Sequence, residues 1–151
     1  MTFLLSNRPL LSAVIAMLLA QFLKPFVVWI TDRTFNFRYF FTTGGMPSSH
    51  TSAVVALTTS IYIVEGWQSL AFTISFVFAA IVIHDAMSIR RAAGKQAEVI
   101  NEWSRILAQI HEDGQFTPEN LKTMLGHTFV QVSAGFILGL LIAIIFTVVI
   151  A

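Results

Sequence analysis

Four stretches of this chain are too apolar to face water: about Pro9 to Ile30, Thr51 to Val64, Leu70 to Ile83 with its flanks, and Phe129 to Ala151. In hydrocarbon a backbone has no water to bond, so runs of roughly 20 residues must pair their own N–H and C=O groups as helices. The middle two are short alone, but Ser48 to Glu65 and Gly66 to Met87 reach a crossing length with their small and weakly polar flanks. Gly66-Trp67-Gln68-Ser69 then reads as a tight turn carrying an interfacial aromatic. The first run follows Arg8 as a signal peptide would. Its apolar character continues past Gln21 to Ile30 with no small-residue cleavage site, so it reads as a retained helix. With 56% hydrophobic and 11% charged residues in 151, the chain is one membrane domain rather than a soluble one. The expected fold is an all-α bundle of about four transmembrane helices, spanning about 9–30, 48–65, 66–87 and 127–151. Cysteine is absent, which excludes a disulfide framework and thiolate metal sites.

Four spans put the loops at about 31–47 and 89–125 on one side of the membrane. Arg33, Arg38, Arg90, Arg91, Lys95, Arg105 and Lys122 fall there, against Arg8 opposite. The positive-inside rule then makes the loops cytoplasmic in a bacterial inner membrane. In the longer loop Val99, Trp103, Ile106, Leu107 and Ile110 recur at helical spacing among charged residues, the pattern of an amphipathic helix lying at the interface. His111-Glu112-Asp113-Gly114 reads as a polar turn ending it. Thr117-Pro118-Glu119 reads as the start of a short helix leading to His127.

Two histidines stand where apolar runs begin, in Gly44-Gly45-Met46-Pro47-Ser48-Ser49-His50 and in Gly126-His127-Thr128. A helix start offers unpaired N–H groups and the positive end of the helix dipole, so anionic oxygens are stabilised there. Imidazole at the same place can act as nucleophile or proton carrier. His127, Gln131, Gly135, Gly139 and Ala143 step by four along one helix face. Small residues at that spacing form a close-packing seam, which turns His127 and Gln131 inward. Gln21 and Lys24 share a face of the first helix, and Lys24 lies roughly 9 Å inside its end. It either snorkels or turns inward to add a cation. His84 and Asp85, adjacent on a helix, diverge by about 100° and cannot both face one ligand. Asp85 has an arginine as its simpler partner. No H-x-x-x-H or H-E-x-x-H spacing supports a metal, and neither metal nor cofactor is expected.

Gly45-Met46-Pro47-Ser48-Ser49-His50, Arg90-Arg91-Ala92-Ala93-Gly94-Lys95-Gln96 and Gly126-His127-Thr128 with Gly135 together resemble the divergent branch of the type 2 phosphatidic acid phosphatase and vanadium haloperoxidase superfamily. The resemblance covers most of the chain. It implies a metal-independent phosphatase working through a phosphohistidine. His127 matches the nucleophile and His50 the histidine that protonates the leaving oxygen. Ser48, Ser49 and the backbone after Gly45 match holders of phosphate oxygens, and Lys24 with Arg90 or Arg91 matches the neutralising cations. Pro-Ser-Ser-His replaces the superfamily's Pro-Ser-Gly-His, the arginine lies far from His127, and no Arg-Pro follows Lys24. Gln131 stands where the aspartate that orients the nucleophile belongs, with Asp85 as a substitute from the next helix.

The expected activity is hydrolysis of a lipid or isoprenoid phosphate, since a site at headgroup level meets such phosphates within the bilayer. The expected partners are the bilayer and that phosphorylated lipid, with no nucleic acid, and homo-oligomerisation stays open. Gln131 and the displaced arginine favour a rival reading, a non-catalytic membrane protein that binds a phosphorylated lipid or scaffolds partners. A small transporter is a weaker rival, because four helices leave little room for alternating access.

Overall fold

A computed structural model describes residues 7–33, 35–42, 44–110, 120–121, 123 and 126–149. Helix α1 spans Arg8–Asp32 and starts where the Asn7 side chain accepts the Leu10 N–H at 3.1 Å. It ends at Arg33, which takes the left-handed conformation with φ 56°. A 3₁₀ turn, Phe37–Phe41, precedes helix α2, Ser49–Glu65. Gly66, at φ 82°, closes α2. Ser69 then caps α3, Leu70–Met87, by accepting the Phe72 N–H at 3.0 Å. One residue, Ser88, separates α3 from α4, Ile89–Ile110. Helix α5, Phe129–Ile144, is capped by Thr128 and continues as a π-helical turn, Ile145–Val149. The expected polar turn at His111 to Gly114 and the helix start at Thr117-Pro118-Glu119 lie outside the described residues.

Helix α2 is the centre, packed against α1, α3 and α5. Its buried residues are mostly small or hydroxylic: Ser49, Thr51, Ser52, Ala56, Thr58 and Ser60 among them. Such side chains let backbones approach closely and hydrogen-bond across helices where water is absent. The Ser52 hydroxyl donates to the Gly135 carbonyl at 3.0 Å, and Ser60 and Thr147 share a bond of 2.7 Å. Gly135 and Gly139 are the contact points of α5. A Cβ there would sit 2.6 Å from the Ser48 carbonyl and 2.5 Å from the Ser52 carbonyl respectively, so only glycine fits. The seam read from the four-residue spacing is thus the α2–α5 crossing.

Large apolar side chains point outward instead, with Leu18 60% exposed and Ile74 61% exposed. Small residues inside and bulky hydrophobes outside invert the pattern of a water-soluble protein and suit a lipid solvent. Among the described residues, three helical stretches are long and apolar enough to cross a membrane: Arg8–Asp32, Leu70–Ile110 and Phe129–Val149. The chain is an all-α membrane protein. Helix α2, at 17 residues, spans about 26 Å at 1.5 Å per residue.

Helix α4 leaves the bundle with its apolar face, including Val99 and Trp103, exposed. A buried face of Gly94, Ala97 and Asn101 receives the returning chain. Asn101 donates to the Leu121 carbonyl at 2.9 Å and accepts the Leu121 N–H at 2.8 Å, so both halves of its amide are used.

Candidate functional site

The C-terminal ends of α1 and α3 and the N-terminal ends of α2 and α5 meet at one end of the bundle, where the histidines stand. Ser48 starts α2. Its hydroxyl accepts the Thr51 N–H at 3.3 Å and the Thr51 hydroxyl at 2.9 Å. His50 follows in the first turn, held at this level because the Ser48 N–H donates to the Gln131 carbonyl at 3.1 Å.

His127 is 3% exposed. Its backbone N–H donates to the Ala86 carbonyl at 2.9 Å, near the end of α3. Its ring Nδ1 lies 3.2 Å from Gln131 Oε1. That oxygen also accepts the Thr128 N–H at 3.1 Å as half of a capping box that starts α5. The capping contact fixes which end of the amide faces the ring, because a flipped amide would set its NH₂ against an N–H. Nδ1 therefore donates to Gln131 Oε1, the tautomer that puts the lone pair of the neutral ring on Nε2. Burial pushes the ring's pKa below the ordinary histidine value and the Lys24 charge adds to this, while the Gln131 bond and the Gly45 backbone oppose it.

His50, Asp85, Arg90 and His127 line one cavity of about 330 Å³, whose remaining walls are Phe78, Ile81, Val82 and Ala86. Phe78 and Ile81 are each more than half exposed on the outer surface of α3. The cavity is thus walled by the face the bundle turns to lipid. Arg90 Nε donates to Asp85 Oδ2 at 2.7 Å, both groups being partly exposed.

Lys24 turns inward. It is fully buried and donates to the Thr42 carbonyl at 2.8 Å, with Gly45 against its stem. Gln21 donates to the carbonyls of Phe40 and Thr42 at 2.6 and 3.0 Å, so both polar residues of α1 hold the segment before Gly45. The Lys24 charge lies within electrostatic range of both imidazoles, and that of Arg90 within range of His50.

His50, His127, Asp85 and Arg90 are therefore brought to one cavity, with Gln131 behind His127 and Lys24 beside it. Gly45 and Arg91 line a separate cavity on the Gln131 side of His127. Ser48 and Ser49 are both buried and line neither cavity; the Ser48 hydroxyl is committed to starting α2. Asp85 is engaged by Arg90, and the contact that orients His127 comes from Gln131. Glu98, Thr123 and the Thr42 carbonyl also stand at the site, none of them expected there from residue patterns. The signal for the last was the shared face of Gln21 and Lys24, two polar residues needing a common partner.

The fold and the site define a class of protein, a helical membrane bundle with paired histidines and cations at one end. The chain matches the divergent PAP2 family over residues 5–142, and it belongs to that family. It is 36% identical over 150 residues to the uncharacterized membrane protein YuiD of Bacillus subtilis (strain 168), a match covering 94% of this chain and 95% of that one. No solved structure matches the chain.

Proposed function

We propose that this protein is a membrane phosphatase that hydrolyses a lipid or isoprenoid phosphate through a phosphohistidine. The observation that carries the reading is the cavity shared by His50 and His127, with Arg90 at its edge and Gln131 against Nδ1 of His127. In this mechanism Nε2 attacks phosphorus, the P–O bond to the lipid breaks, and His50 gives its proton to the departing oxygen. Water then attacks phosphorus and gives its proton to the now neutral His50, the P–N bond breaks with its electron pair returning to Nε2, and phosphate is freed. Arg90 and Lys24 offset the charge spread over the equatorial oxygens, the largest contribution a protein makes to phosphoryl transfer. Family membership supports the reaction class, and the apolar walls at Phe78, Ile81 and Val82 support a substrate with a hydrocarbon tail. The excess of loop-side cations supports a cytoplasmic site in a bacterial inner membrane.

The test is phosphate release from a panel of lipid and isoprenoid mono- and diphosphates by the purified protein, with and without chelator. Wild type turns over in both conditions, His127→Ala is inactive, and His50→Ala loses roughly 10²- to 10⁴-fold. Undiminished release by His127→Ala would end the reading. A non-catalytic phospholipid-binding protein is the second reading, favoured by the neutral Gln131 beside His127 and by the pairing of Asp85 with Arg90. It predicts retention of labelled lipid with no release from any substrate.

A further inference from the structure

His127 also forms part of the wall of a second cavity, of about 300 Å³, on the side of the ring where Gln131 lies. Among the described residues, the lining of this space holds no aliphatic or aromatic side chain besides the His127 ring, whereas Phe78, Ile81 and Val82 wall the first. Arg91 and Lys95 lie four residues apart on α4, so they project from one face, and Glu98 stands beside them as the opposing charge. Among the described residues, two cations stand against one carboxylate, which leaves that lining net positive. Gly45 and Gly126 bring bare backbone to it at φ 90° and 82°, so a ligand can approach the main chain without meeting a side chain. Gly126 has no room for a Cβ against the Arg91 backbone, which fixes the returning chain to the helix that carries both cations.

We infer that this polar cavity is a water-facing binding site for a phosphate dianion, separate from the place where a lipid's phosphate meets His50 and His127. The inference rests on the proposed phosphatase only in naming the bound ion as the reaction's product; the cations and backbone define the site on their own. A partition follows: the tail lies in the apolar-walled cavity, and the ion that leaves after hydrolysis is held on the opposite side of the same imidazole.

Equilibrium dialysis of labelled inorganic phosphate tests this on full-length protein in detergent, with His50→Ala suppressing turnover. Removing one charge-assisted contact, as in Lys95→Ala or Arg91→Ala, weakens binding about 10-fold. Glu98→Gln tightens it several-fold, a gain that misfolding cannot mimic. Phosphatidic acid added to the micelles leaves the labelled ion bound. Displacement by that lipid would make the cavity a headgroup site and overturn the inference, as would equal phosphate binding by all four proteins. Should the dialysis results hold while wild type shows no turnover, the phosphatase reading falls and the anion site stands. Should turnover occur without phosphate binding, the anion site falls alone.

Discussion

Gly135→Ala puts a methyl group into the α2–α5 crossing at the level of the site. The new Cβ would lie 2.6 Å from the Ser48 carbonyl oxygen, about 0.8 Å short of the 3.4 Å where ordinary contact begins, and 3.2 Å from the Cβ atoms of Ser48 and Thr51. These neighbours are backbone and fully buried side chains, so relief comes from moving the helices apart. Ser48 starts the helix that carries His50, and its N–H is bonded to the Gln131 carbonyl, so the same motion separates the two imidazoles. A misplacement near 1 Å costs on the order of 10²-fold in rate, so kcat/KM for lipid phosphate falls about 10- to 100-fold. Overpacking lowers stability by about 1–3 kcal/mol, visible as a lower thermal midpoint in detergent. Gly139→Ala meets the Ser52 carbonyl at 2.5 Å but lies about 6 Å further along α5, so it loses similar stability and less activity. Gly66→Ala, with nothing within 4 Å and φ 82°, is strained without a clash and keeps full activity. A Gly135→Ala protein with wild-type kcat/KM and thermal midpoint would refute the close-crossing argument.

Four further outcomes are expected. Because burial lowers the pKa of His127 and its neutral form attacks, kcat/KM holds as pH drops past about 6.5 and falls only through the lowered value; an acid limb above that pH contradicts it. Gln131→Glu keeps the capping box and stabilises imidazolium, so the acid limb moves up by about one pH unit and turnover rises, both read from one pH–rate series. Lys24→Met keeps the stem's packing and removes the cation, so the protein purifies normally while kcat drops roughly 10²- to 10³-fold. Asn101→Ala leaves the Leu121 N–H and carbonyl without their partner and costs about 1–3 kcal/mol, measured as faster hydrogen exchange at residues 120–127.

The α2–α5 seam was legible because Gly135 and Gly139 are small at helical spacing, and that pattern has few uses in lipid. The inward turn of Lys24 was not, since a buried amine depends on the Thr42 carbonyl, which belongs to a segment without periodicity. Ser48 shows a limit of motif reading. A serine before a helix can start it or hold a ligand, and here its hydroxyl is bonded to Thr51. Arg90 and Arg91 are adjacent in sequence yet border different cavities, because neighbouring positions on a helix diverge. Which arginine faces which cavity depends on the turn of α4 after Ser88, and no residue pattern announces that angle.

Just before the break at Ser88, the Ala86 carbonyl accepts the His127 N–H. With Asn101 clasping Leu121 upstream, the last residues before α5 are anchored at two points. The imidazole is thereby tied to α3 through its own backbone and to α4 through Leu121, so its position follows the junction of those two helices as much as the start of α5.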